Sequence, residues 1–152
     1  MVRATPMRRA RPLLALTAAA LLAACAGRSP APESPSAEAL EGPLVGQRWE
    51  LLLVGTSERL SMPETPWFEV SRDGRLTGSD GCNEMRGTVR LGDKQRVEVE
   101  ELATTRRGCP QGEEAGRVSG MLETAYRYLI DHDRLVFFGP DQRVLGGWRK
   151  AD

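Results

Sequence analysis

From Trp49 to Trp148, short runs that alternate apolar with polar residues are broken every few positions by turns rich in Gly, Asp and Pro. That punctuation dictates a meander of short strands, because side chains two apart share one face of a strand and the turns are too frequent for long helices. Trp49, Leu51 and Leu53 alternate with Glu50 and Leu52 before Gly55 closes the run, which predicts a first strand with one strongly buried face. Residues 60–66 hold two prolines and read as loop. Residues 67–71 and 75–78 flank Arg72-Asp73-Gly74, where a Gly after Asp supplies the positive φ of a tight hairpin. Residues 88–91 and 96–101 flank Gly92-Asp93-Lys94 as a second hairpin, with Val97 and Val99 set against Glu98 and Glu100 on the wet face. Tyr126, Tyr128 and Ile130 then alternate, Asp131-His132-Asp133 turns the chain, and 135–138 returns. A further turn at Gly139-Pro140-Asp141 leads to Val144, Leu145 and Trp148 in a last strand.

One segment departs from the two-residue period. Ala115, Val118, Met121, Leu122 and Ala125 recur at helical spacing and predict a helix over 113–124 that caps the sheet. Glu113 and Glu114 stand where carboxylates favour the positive end of the helix dipole, while Gly116 and Gly120 weaken the segment by about 1 kcal/mol each. The 16 Gly and 10 Pro agree with a turn-rich chain, and 40% hydrophobic with 28% charged residues suits one packed core.

The first 24 residues have a different physical character. Arg3, Arg8, Arg9 and Arg11 precede an apolar run over 13–24, the charge order and length of a secretory signal peptide. A spanning helix needs about 20 apolar residues, so the run is too short for a permanent anchor. It ends in Leu22-Ala23-Ala24-Cys25, which resembles the bacterial lipobox. That resemblance implies a diacylglycerol on the Cys25 thiol and an acylated amino terminus, which hold a domain on a bilayer at about 0.8 kcal/mol per buried methylene. Ala26, rather than the Asp that favours inner-membrane retention, points to the outer membrane, with the domain on its periplasmic face. The plainer alternative is a cleaved signal with Cys25 incidental. Residues 25–42 then form a tether of Ala, Pro, Ser and Glu, too poor in apolar surface to order itself, and the folded domain is expected over 43–152. Without the leader the chain carries 17 basic and 21 acidic residues. That balance offers no basic patch for nucleic acid.

The residues that carry a family resemblance are Gly78-Ser79-Asp80-Gly81-Cys82-Asn83 running into Gly87-Thr88-Val89, followed by Ala103-Thr104-Thr105-Arg106-Arg107-Gly108-Cys109. A helix and a hairpin ending in Leu135-Val136-Phe137-Phe138 complete the order. This succession resembles the META domain, the HslJ-like or DUF306 family, over roughly 44–149. Arg106, Arg107 and Gly108 stand where that family's T-x-x-x-C element usually has Met or Ala before its cysteine. The resemblance implies a mainly β fold, an antiparallel β-barrel-like sheet with one helix packed near it. It further implies kinship with bacterial envelope lipoproteins and with a heat-inducible protein linked to novobiocin tolerance, and it brings no catalytic residue and no cofactor.

With Cys25 given to lipid, Cys82 and Cys109 are two thiols in an oxidising compartment, where disulfides form and persist. A bridge would close a loop of 28 residues and stabilise by about 3.5 kcal/mol. Two free buried thiols, or a reactive thiol or metal site, are the alternatives. Gly78, Gly81 and Gly87 lack the Lys-Ser/Thr and the following helix of a phosphate cradle and fit bulges and tight turns better. Asn83 is expected to tie a turn, and Thr105 belongs to the second cysteine element. His132, the single histidine, lies in a solvated turn, and with both cysteines it gives at most three zinc ligands, so no metal site is expected. Glu98, Glu100 and Glu101 lack support as a glycosidase pair, and Arg106 with Arg107 reads as a solvated loop able to touch lipid headgroups or polyanions.

Trp49, Trp67, Phe68, Phe137, Phe138 and Trp148 are large enough to fill a small barrel. A filled barrel points to a non-enzymatic lipoprotein domain that binds an envelope protein or cell-wall partner or supports the envelope under stress. The alternative is a small-ligand carrier or inhibitor that uses the barrel mouth. An enzyme with Cys82 as nucleophile has no identifiable base.

Overall fold

The computed structural model describes residues 39–152; the expected leader, Cys25 and the tether up to residue 38 lie outside them. Eight strands follow one another as β1 Arg48–Val54, β2 Trp67–Val70, β3 Arg75–Ser79, β4 Glu84–Gly92, β5 Arg96–Thr104, β6 Arg127–Asp131, β7 Arg134–Phe138 and β8 Val144–Lys150. A single helix, α1 Gly112–Thr124, stands between β5 and β6. Each strand pairs antiparallel with its successor and β8 pairs back onto β1, so the sheet closes into a barrel-like ring. Closure removes the exposed edges that would otherwise pair with other chains. Among the described residues no helix is long and apolar enough to cross a membrane.

The turns form where local chemistry favours them. Asp73 accepts hydrogen bonds from the Ser71 hydroxyl and from the Arg75 N–H, and Gly74 at φ 80 completes the β2–β3 hairpin. Lys94 and Gln95, both at φ 55, and His132 at φ 52 turn the β4–β5 and β6–β7 hairpins without glycine. Leu40, three residues ahead of the expected domain start, already packs on the core and donates its N–H to the Arg72 carbonyl at 2.6 Å.

Trp49, Phe68, Phe137 and Trp148 are fully buried inside the ring. Phe68 meets Trp148 edge-on with ring centroids 4.8 Å apart, and Phe137 lies 5.8 Å from Phe68. Trp67 and Phe138 do not join them: each is only half-buried, because each neighbours an inward-facing Phe in its strand and successive side chains point to opposite faces. Trp67 instead carries the Arg48 guanidinium 3.9 Å above its ring. Leu53 also leaves the core face. The β1–β8 register shifts between Leu51 and Leu53, and beyond this bulge Val54 is the residue that packs inward.

The β5–β6 junction is the weakest seam, with Arg96 opposite Arg127 as its single register pair. Helix α1 packs on β5 beside it and buries Ala115, Val118, Met121 and Leu122. Met121 rests on β8 at Gly146, where any Cβ would come within 2.6 Å of its Cε. Gly116 and Gly120 face open space, so their small size serves no packing need.

Candidate functional site

The Gly-Ser-Asp-Gly-Cys-Asn segment links β3 to β4 at one end of the ring and is built around a carboxylate. Asp80 is 1% exposed. Its Oδ1 accepts the N–H groups of Cys82 at 2.9 Å and Asn83 at 2.6 Å, and its Oδ2 accepts Asn83 Nδ2 at 3.2 Å. The Asp80 N–H donates in turn to the Asn83 carbonyl at 3.0 Å, and Ser79 Oγ accepts the Gly81 N–H at 3.1 Å. An aspartate that accepts from its own backbone two and three residues on forms a turn with its side chain as the third wall.

The second cysteine element docks on this turn. Asn83 Oδ1 accepts the Arg107 N–H at 2.8 Å, Thr105 Oγ1 accepts the Glu84 N–H at 3.0 Å, and the Thr105 N–H donates to the Glu84 carbonyl at 3.0 Å. Arg107 also reaches Glu84 Oε1 at 2.8 Å, and a disulfide joins Cys82 to Cys109 with their Cα atoms 6.2 Å apart.

The glycines fit this arrangement through space as much as through conformation. A Cβ at Gly78 would lie 2.9 Å from the Phe68 Cα in the paired strand. Gly81, at φ 93, sits beneath Met62 and the Glu64 carbonyl of the loop after β1. Gly87 stands apart from the turn. It opposes a bulge in β5 where Glu101 adopts φ 53, and its missing Cβ leaves room for Leu102.

The fold therefore brings together Gly78, Gly81, Cys82, Asn83, Thr105 and Cys109, while Cys25 lies outside the described residues. Sequence reasoning missed Asp80, Glu84 and the Arg107 backbone. An Asp followed directly by Gly and, three residues after the Asp, by Asn was the available signal for the first of these. Chemically the assembly is a clamp. Its sulfurs are bonded to each other, the Asp80 carboxylate is occupied by three donors, and the Glu84 carboxylate is paired with Arg107. His132 lies elsewhere, its side chain 89% exposed and its Nδ1 2.7 Å from Asp131. Among the described residues no three His, Cys, Asp or Glu side chains gather to hold a metal.

Two clefts combine core-packing side chains with solvent-facing residues. Beside the clamp is one of about 160 Å³, walled by Leu51, Leu60, Met62 and Pro66 with Arg59 and Glu64 at its rim. A wider, solvent-open one of about 690 Å³ separates Ala39, Leu40 and Glu41 from Leu91, Gly92 and Tyr128.

Comparison with known proteins places this architecture. A protein solved by NMR shares 24% identity over 74% of this chain and 97% of its own, with a TM-score of 0.58. An NMR structure from Burkholderia xenovorans shares 18% identity over 80% and 99%, with a TM-score of 0.57. The crystal structure of a DUF4847 family protein from Bacteroides vulgatus shares 15% identity over 72% and 97%, with a TM-score of 0.54. At such identities the likeness is one of fold. No curated protein sequence matches the chain. The family model of the META domain matches residues 42–152, the whole ring with its clamp and helix, and the chain accordingly belongs to the META domain family.

Proposed function

We propose that this protein is a lipid-anchored domain of the bacterial cell envelope, held at the outer membrane through Cys25, and that it works by non-enzymatic binding to an envelope protein or cell-wall component. The observation that carries the reading is the filled interior. Trp49, Phe68, Phe137 and Trp148 occupy the space a ligand carrier would keep open, so recognition falls to the outer surface. The bridged sulfurs support a structural part for the clamp, and the charge order of 1–24 with Cys25 after Leu22-Ala23-Ala24 supports export and acylation.

Intact mass of the mature protein tests the anchor: a chain that begins at Cys25 and carries a lipid increment is expected, and an unmodified chain overturns it. Photocrosslinking from the exposed Arg106 position in intact envelopes tests the binding role. A reproducible protein or glycan adduct is expected, and the absence of any adduct from correctly anchored protein would remove that role.

A further inference from the structure

On the outer face of the weak seam lies a cleft of about 220 Å³ lined by Gln95, Arg127, Tyr128, Leu129, Phe138 and Gln142. Arg127 and Arg96 stand directly opposite across the single β5–β6 rung, so two guanidinium groups share one face, and neither forms an ion pair within the described residues. Like charges placed directly opposite repel unless an anion joins them. Arg96 is occupied in part by the Tyr126 ring, 3.7 Å from its guanidinium carbon, and the neighbouring cleft around it also holds Glu98 and Glu123. The Arg127 cleft is lined by no carboxylate.

Arg127 is underused there. Its Nη1 donates to Gln142 Oε1 at 3.4 Å, and its buried Nε has no hydrogen-bond partner among the described residues. The guanidinium therefore has more donors than the one long contact to Gln142 uses. Gln95 and Gln142 are held at φ 55 and φ 64, where non-glycine residues are uncommon. Beside these polar groups stands Leu129, the one large hydrophobic side chain that is mostly exposed among the described residues. Tyr128 lines both this cleft and the one bordered by Ala39, Leu40 and Glu41. Tyr128 thus stands between this cleft and residues 39–41, the first described residues of the chain.

We infer that this cleft binds the phosphate of an anionic phospholipid. Arg127 grips the headgroup through its Nη N–H groups, Gln95 and Gln142 complete the polar rim, and Leu129 and Phe138 receive the first methylenes. The inference rests on the proposed anchor, which would keep the domain beside the bilayer.

The test places the mature, full-length protein in phosphatidylcholine nanodiscs and in nanodiscs containing phosphatidylglycerol, and reads the Arg127 Nε–H resonance by NMR. A shift confined to phosphatidylglycerol discs, reversed by salt, is expected. No shift overturns the proposal, and so does a shift caused by added inorganic phosphate but not by the lipid. Arg127→Gln is expected to abolish the response read at Leu129. Should that variant fail to fold, Leu129→Asp at an exposed site is expected to abolish the Arg127 shift by repelling the headgroup, and an unchanged shift counts against the cleft. If intact mass shows no anchor, the same resonance is followed with soluble protein and added vesicles, so loss of the anchor and loss of the cleft are read separately.

Discussion

Asp80 has the most consequential environment of any single residue. It is buried, yet every neighbour it needs lies within three positions along the chain. Asp80→Ala strands the N–H groups of Cys82 and Asn83 and is expected to cost about 3 kcal/mol in urea unfolding. Asp80→Asn keeps one acceptor oxygen and is expected to cost about half of that. Two other carboxylates contribute to the acid response. The side-chain hydrogen bond from Arg117 holds Glu58 below its ordinary value, and the Ser71 hydroxyl, helped by the Arg75 N–H, does the same for Asp73. Lowered values mean stability fully present above the ordinary carboxylate range and lost as pH falls through the folded values. Thermal melts from pH 6 down to about pH 2 are expected to show that loss, and Arg117→Gln is expected to shrink it.

Among the elements, the helix and the clamp each replace something the sheet does not provide. The β5–β6 seam has one register pair, so α1 must seal that side, and Met121 carries its contact across to Gly146 of β8. Met121→Ala opens a cavity there and is expected to lower stability by about 2–4 kcal/mol in denaturant titration, with the far-ultraviolet spectrum retained. The helix itself was legible from its apolar spacing to within one residue, because a 3.6-residue period survives whatever the helix packs on. The bulge that trades Leu53 for Val54 was not legible, since alternation shows which residues share a face but not where the register slips.

For the molecule as a whole, closure of the ring and the disulfide decide how cooperatively it unfolds. The bridge ties positions separated by 27 in sequence, at the turn that joins β3 to β4 and the segment that leads into α1. Reduction, or Cys82→Ser with Cys109→Ser, is expected to lower the unfolding free energy by about 3.5 kcal/mol, measured by urea melts with and without reductant. An unchanged midpoint would mean that the hydrogen bonds from Asn83 and Thr105 already fix the clamp.

By itself the sequence determined the order of strands and turns and the helix, because periodicity and turn residues are local properties that each stretch of chain carries with it. Of β4, which runs Glu84–Gly92, it showed only 88–91, and it left the pairing of Cys82 with Cys109 open. Only the tertiary structure decided that Trp67 and Phe138 face outward, that Asp80 is the centre of the clamp, and that Arg96 meets Arg127 at the seam. Those outcomes depend on which strand lies beside which and in what register, and ring closure sets that through contacts between residues far apart in the chain.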